Sequence, residues 1–386
     1  MNDYLNIIKR SALKKRAFFS KDDIRWCSVP VPPIDDHKGA EFNFSDDQIT
    51  KYGQSQTHPS IVYVPNGWNG HKYWLVTTPY PSAVGVFENP CVYYGDEDAN
   101  GNPPVLFHPI SGGTASNDYP IITNPVVKVK TTSAVNSDPD VWIDSQNNKM
   151  CILSRDNTHG FSWLYQESVD GLSWSERTEY PNDLININDD GGVTHELVSP
   201  SVLDNGDGSA TLYGLCGLGY YTGVNSSMER NRLCRKGMFV YKGIPSQGKG
   251  GISLQYHASL LGAPNIYPWH MDIAKHKDKY YMVFCGFDIH ASTGLSLFMA
   301  ISDDGYDFQV SPIPIEDSIL HYRPSIAFRD DELLIYGSSE GGGVPTDENA
   351  YPRGASDIPI DGRSIFLLKA NIYTLVDYLF ETIEIR

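Results

Sequence analysis

Residues able to carry or move a proton recur in this sequence at one kind of place, the start of a short apolar run. Five stretches begin alike: His58-Pro59-Ser60-Ile61-Val62-Tyr63, Asp138-Pro139-Asp140-Val141-Trp142-Ile143, Ser199-Pro200-Ser201-Val202-Leu203, Trp269-His270-Met271-Asp272-Ile273 and Arg323-Pro324-Ser325-Ile326-Ala327-Phe328. Imidazoles and carboxylates serve general acid–base chemistry. Aromatic faces and a guanidinium suit sugar rings and their hydroxyls. The candidates for such a site are His58, Asp138, Asp140, Trp269, His270, Asp272, Tyr322 and Arg323, with Glu196 just ahead of the third opener. Each alone has an ordinary structural explanation: Asp138 can cap a turn, His270 can satisfy a carbonyl, and Arg323 can pair with an Asp. Their common placement argues for convergence on one concave, polar pocket.

The elements that must position them are strands. Four of the five openers carry Pro in second place, and proline suits the first residue of a strand, where no ladder donor is needed. Each opener leads through a turn, such as Asn66-Gly67 or Asp330-Asp331, into a second apolar run: Lys72–Val76, Lys149–Leu153, Ala210–Gly214, Lys279–Phe284 and Glu332–Tyr336. Third runs recur at Ser162–Gln166, Gly237–Tyr241, Leu295–Met299 and Ser364–Leu368. Two of them end in matching Asp-Gly turns with an aromatic three residues later, Asp170-Gly171…Trp174 and Asp304-Gly305…Phe308. Openers at 58, 138, 199, 269 and 323 recur every 54 to 80 residues, which leaves long loops around the strand ends. Radial repetition of this kind predicts an all-β, five-bladed β-propeller. A pair of β-sandwiches leaves the five openers unexplained. The propeller is expected over 57–386, with 1–56 as a short N-terminal extension containing an amphipathic helix; the tail at 371–380 fits a strand or a short helix equally well.

Composition narrows the function. The 386 residues carry a net charge of −17, which disfavours a phosphodiester partner and, without locally concentrated positive charge, a polyanionic ligand. Six scattered cysteines with no CxxC pair read as buried thiols made in a reducing cytoplasm. No apolar run is long enough to span a membrane, and the first twenty residues lack a continuous signal-peptide core. No metal centre and no required cofactor are expected. A structural Ca²⁺ is compatible with the acidity, but Asp96–Gly101 places Phe107 where a calcium loop needs Glu. That stretch reads as a turn, as do Asn188–Gly191 and Asp204–Gly208. Asn225-Ser226-Ser227 reads as a loop rather than a glycosylation site. The basic run Met228–Lys236 reads as a solvated hairpin face or a contact for an anionic glycan.

The openers and blade count resemble the five-bladed propellers of the family 43 glycoside hydrolases. The first repeat, His58-Pro59-Ser60…Gly67-Trp68-Asn69-Gly70-His71…Thr78-Pro79-Tyr80-Pro81…Glu88-Asn89-Pro90-Cys91, together with Pro268-Trp269-His270-Met271-Asp272, is similar to propeller domains of phage tail and receptor-binding proteins. The family 43 resemblance implies an axial Asp base, an Asp that tunes the acid, and a Glu acid, drawn from the first three blades. Here Asp138 matches the second position, His58 replaces the first, and Glu196 stands two residues ahead of the third, which is Val198. The phage resemblance implies a virion protein that recognises a bacterial surface glycan through Asp140, Trp269, His270, Asp272, Tyr322 and Arg323. It also implies other tail proteins as partners and a homo-oligomeric assembly, while the charge and the absence of a long apolar run argue against nucleic-acid binding and membrane insertion. The alternatives are a glycosidase using Asp138, Glu196 and His58 or Asp272, and a purely structural tail component.

Overall fold

The computed structural model describes residues 17–29, 56–80, 88–110, 136–156, 162–180, 197–216, 238–262, 266–288, 296–319, 321–339 and 363–381. It is an all-β five-bladed propeller. A two-residue strand, β1 (Arg25–Trp26), precedes the first blade. Blade one is β2 (Gln56–Trp68), β3 (His71–Pro79), β4 (Cys91–Gly95) and β5 (His108–Pro109). Blade two is β6 (Asn136–Asp144), β7 (Lys149–Asp156), β8 (Ser162–Ser168) and β9 (Thr178–Tyr180). Blade three comprises β10 (Leu197–Asp204), β11 (Ala210–Cys216), β12 (Met238–Gly243) and β13 (Ile252–Leu261). Blade four comprises β14 (Ile266–His276), β15 (Lys279–Asp288), β16 (Ser296–Ser302) and β17 (Asp307–Val310). Blade five has three strands in sequence, β18 (His321–Arg329), β19 (Glu332–Ser339) and β20 (Ile365–Asn371), and takes β1 as its outer edge through Arg25↔Leu367 and Trp26↔Phe366. The described part of the first 56 residues therefore includes a strand of the last blade. The helix expected near the N-terminus falls outside the described residues.

Five apolar clusters fill the wedges between adjacent blades. Phe19, Ile24 and Trp26 join the wedge between blades four and five, as does helix α1 (Ile372–Phe380). Asn371 caps that helix by accepting from the Tyr373 and Thr374 amides at 3.1 and 3.3 Å, and Ile372, Leu375 and Leu379 turn inward. The tail at 371–380 is thus a short helix, entered directly from β20 at Asn371. The two Asp-Gly turns repeat in detail: Ser168 Oγ and Ser302 Oγ accept from the Gly171 and Gly305 amides at 2.8 and 3.0 Å. Gly305 has φ +79°, and a Cβ there would lie 2.9 Å from Tyr213 Oη, so the turn needs glycine.

The inner strands are joined by a hydrogen-bonded circuit from the third residue of four openers and the fourth, Asp272, of the opener that begins at Trp269. Ser60 Oγ donates to Asp140 Oδ1 (2.9 Å) and accepts from the Val141 amide (2.9 Å), linking blades one and two. The Val202 amide donates to Asp140 Oδ2 (2.7 Å), linking two and three. Ser201 Oγ donates to Asp272 Oδ1 (2.7 Å) and accepts from the Ile273 amide (2.9 Å), linking three and four. Asp272 Oδ2 accepts from Ser325 Oγ (2.7 Å) and the Ile326 amide (2.8 Å), linking four and five. The Ile61 amide donates to Ser325 Oγ (2.9 Å) and closes the ring.

Candidate functional site

Immediately before this circuit the inner strands bulge, and the bulges aim side chains at the axis. In blades one to three the ladder skips between Thr57 and Ser60, Ser137 and Asp140, and Val198 and Ser201. Within each skip a residue preceding proline adopts a left-handed conformation: His58 (φ 50°), Asp138 (φ 50°) and Ser199 (φ 49°). A β-branch-free but non-glycine residue costs about 1–3 kcal/mol in that region, and such strain clusters at functional sites. In blades four and five the skips lie between Pro268 and His270 and between His321 and Arg323, so Trp269 and Tyr322 are the extra residues. His270, not Trp269, is therefore the structural equivalent of His58 and Asp138, and Met271 takes the proline place.

Three of these axial residues meet closely. One ligand atom each from His58, Asp138 and His270, all buried, lies within 4.8 Å of the others. His58 Nε2 is 3.0 Å from Asp138 Oδ1, and His270 Nδ1 is 3.8 Å from it. Arg323 Nη1 stands 3.6 Å from Asp138 Oδ1 and Arg155 Nε 3.3 Å from Oδ2. Among the described residues neither Asp138 oxygen has an aligned hydrogen-bond donor, and His270 Nε2 has no hydrogen-bond partner. His58 Nδ1 lies 3.1 Å from Thr78 Oγ1, whose hydroxyl can donate to the Thr57 carbonyl at 3.4 Å. Assigned from this network, the tautomer with a proton on Nδ1 leaves the Nε2 lone pair facing a carboxylate oxygen. Two acceptors at 3.0 Å call for a cation or a proton between them.

The electrostatics agree. Burial lowers the His58 pKa to about 4, with Arg323 and Arg363 adding to the effect against the pull of Asp138, and burial lowers His270 well below its ordinary value. Both rings are neutral at pH 7, the form that ligates metals. Burial pushes the Asp138 pKa upward, but Arg155, His58 and His270 outweigh it and hold the carboxyl well below its usual range. An N,O,N donor set with neutral imidazoles fits a transition-type divalent ion, whereas Ca²⁺ takes oxygen ligands. In the described acidic turns the carboxylates are engaged by backbone amides: Asp98 accepts from the Asn100 and Asn102 amides at 2.9 and 2.8 Å, and Asp204 from the Ser145 and Gly206 amides.

The other sequence candidates divide by depth. Asp140 and Asp272 lie in the circuit, their oxygens taken by serine hydroxyls and amides, and burial raises both carboxyls. Arg323 is buried beside them and donates to the Pro200 carbonyl at 3.3 Å. Tyr322 sits between the histidines, its ring 5.3 Å from His58 and 4.6 Å from His270. The Arg363 guanidinium lies over Tyr322 at 3.5 Å and over Tyr80 at 4.2 Å, so one Tyr322 face is covered. Trp269 is partly exposed beside His270. Glu196, Asn188–Gly191, Asn225–Ser227 and Met228–Lys236 lie outside the described residues.

Sequence reading missed Arg155, Ser199, Arg363 and Glu88. Arg155 pairs across the ladder from Ser137, so it could have been found by extending the second run beyond Leu153. Ser199 contacts His270 Nδ1 through a short hydrogen bond. Glu88 carries no repeat signal. Among the described residues the four described cysteines, Cys27, Cys91, Cys151 and Cys285, are free and buried, and no helix is long and apolar enough to cross a membrane.

No protein-family model matches the chain. It is 24% identical over 327 residues to the A type blood N-acetyl-alpha-D-galactosamine deacetylase of Flavonifractor plautii; the match covers 76% of this chain and 40% of that protein. The chain thus spans less than half the length of this curated relative. In structure it is similar to an N-acetylgalactosamine deacetylase from F. plautii in complex with blood group B trisaccharide, with TM-score 0.61, 15% identity, and coverage of 93% of this chain and 98% of that one. A thermostable family-43 glycoside hydrolase aligns more loosely, with TM-score 0.47, 14% identity, and coverage of 81% and 88%.

Proposed function

We propose that this chain is a carbohydrate-active hydrolase that removes an acyl group from an amino sugar in a glycan, using the axial His58–Asp138–His270 cluster. The cluster itself carries the reading: three buried ligand-type side chains from three blades, with ligand atoms within 4.8 Å of one another, and with both Asp138 oxygens and His270 Nε2 lacking hydrogen-bond partners among the described residues. A divalent ion held there would supply a Lewis acid for an acyl oxygen. His58 and His270 stay neutral, Asp138 stays ionised, and Thr78 and Ser199 fix the two rings. The named deacetylase relative supports this class of substrate.

The phage-tail receptor role draws no support from these relatives, and virion localisation, tail partners and homo-oligomerisation rest on the first-repeat resemblance alone. Glycosidic cleavage is the second reading. It rests on a buried pair of carboxyls in opposite states, ionised Asp138 and Glu88, whose pKa is raised to about 8. Incubation with glycans ending in N-acetylated sugars separates the two. Acetate and free amine released, stopped by a chelator and restored by a divalent cation, are expected for deacylation; new reducing ends without acetate would replace it with the second reading. Asp138→Asn is expected to lower the rate at least ~10³-fold and to remove the bound metal measured by elemental analysis.

A further inference from the structure

A polar recess lies far from the axial cluster, between the hairpins that join β6 to β7 and β10 to β11. Asp144 stands six positions along β6 from Asp138, roughly 15–20 Å away in an extended strand, so the recess sits toward the opposite face of the ring. Its volume is about 150 Å³, room for one six-membered ring. Close-packed interiors rarely leave so large a void, and this one is walled by side chains already held in place. Tyr165 Oη donates to Glu167 Oε2 at 2.7 Å, and Lys149 Nζ to Glu167 Oε1 at 2.5 Å. Asn147 donates to Asp144 through its backbone amide at 3.0 Å and its Nδ2 at 2.7 Å. Ser145 donates to Asp204 Oδ2 through its amide at 3.1 Å and its hydroxyl at 2.5 Å, which stitches blades two and three together beside the recess. Trp142 lines it from the buried side and Ser246 from the exposed side.

The lining chooses among ligand classes. Three carboxylates, Asp144, Glu167 and Asp204, line the recess with one ammonium, Lys149, so an anion is repelled. A metal ion is no better served: among the described residues only His58, Asp138 and His270 bring three ligating side chains together. A hydrocarbon would strip water from the polar wall and give it no partner. A neutral polyhydroxyl ring meets these demands, because a hydroxyl both donates and accepts, the Asp144 and Asp204 oxygens keep lone pairs beyond the bonds already made, and Lys149 keeps N–H donors beyond its bond to Glu167. We propose that this recess is a second carbohydrate-binding site, holding one pyranose of a neutral glycan by hydroxyl hydrogen bonds to Asp144, Asp204 and Lys149 beside the Trp142 indole. It binds without chemistry of its own and does not depend on what the axial cluster catalyses.

Calorimetric titration of the full chain with D-galactose, D-glucose and D-mannose tests this, with ethanolamine as the control for a simple cation. At least one hexose is expected to bind with a Kd on the order of millimolar, and ethanolamine not to bind. Asp144→Asn, which keeps the shape of the recess, and Ser246→Trp, which plugs its exposed side, should each weaken that binding at least ~10-fold. Asp138→Asn should leave it unchanged. Both recess variants should keep the wild-type melting temperature and the wild-type acyl hydrolysis of a small N-acetylated sugar. Amide hydrogen exchange gives a readout that needs no variant: the bound hexose near saturation is expected to slow exchange in the 144–149 and 204–210 hairpins. Binding of none of the three hexoses, binding undiminished in both recess variants, binding abolished by Asp138→Asn, or unaltered exchange in the two hairpins at saturation would each overturn the proposal. Ethanolamine bound in place of a hexose would overturn it in favour of a cation site. A hexose bound here by a chain with no acyl hydrolysis would count against the proposed function and leave this site standing.

Discussion

Glu88 and Asp138 lie within one electrostatic neighbourhood and are driven in opposite directions. Arg155 and the two histidines favour the charged form of Asp138 strongly enough to outweigh burial, while at Glu88 burial prevails over Arg155 and Arg363. This has a thermodynamic consequence for Glu88 independent of any reaction. In the unfolded chain a glutamate ionises near 4.5, whereas in the fold Glu88 holds its proton to about 8. Between those values the unfolded state gains by releasing a proton, and the fold loses about 1.4 kcal/mol per pH unit from this group. Glu88→Gln does not titrate. Its melting temperature is expected to match wild type near pH 4 and to exceed it increasingly toward pH 8, which a thermal-melt series across that range would measure. A constant difference at all pH values would show that Glu88 does not retain its proton in the fold. Little of this was legible in the sequence. His58, Asp138 and His270 were flagged because they open strands, but their meeting depends on residues 80 and 132 positions apart being brought together by closure of a ring. Glu88 follows no opener at all.

At the level of the strands, proline made the repeat readable. It marks four openers, and in blades one to three it falls within the bulge that turns the preceding residue toward the axis. Blade four lacks it, and there the reading placed Trp269 in the position that His270 holds. Asp140 and Asp272 read as pocket residues because a carboxylate suits ligand binding and strand latching equally; their serine and amide partners assign them to the latch. Asp272 accepts from Ser201, Ser325 and the Ile273 and Ile326 amides, so its removal leaves several buried donors unsatisfied. Asp272→Ala is expected to cost at least about 3 kcal/mol, read as a lower denaturant midpoint. Ser60→Ala, which removes one hydroxyl from the circuit, should cost about 1–2 kcal/mol. Gly305→Ala, forced to φ +79° against Tyr213, should cost upward of about 1 kcal/mol.

For the whole molecule, the ring is completed by chain segments far apart in sequence. Trp26 is 6% exposed, pairs with Phe366 and stacks edge-on to its ring at 6.1 Å. Trp26→Ala is expected to lower stability by about 3–5 kcal/mol, a loss that a dispensable leader segment would not show. The sequence could not reveal this strand, because two residues carry no periodicity. The inner circuit holds a related consequence. Its members run Ser60, Asp140, Ser201, Asp272, Ser325 around the axis. An alternation of two kinds closes without conflict only on an even count, and a five-membered ring must join like to like once. That mismatch falls between blades five and one, where the junction has no carboxylate and rests on a single amide-to-hydroxyl bond from Ile61. It lies beside the blade that borrows its edge from β1. Parity thus gives the ring a seam, and amide hydrogen exchange is expected to run faster at Ile61 than at Val202 or Ile326, whose amides are anchored by aspartate.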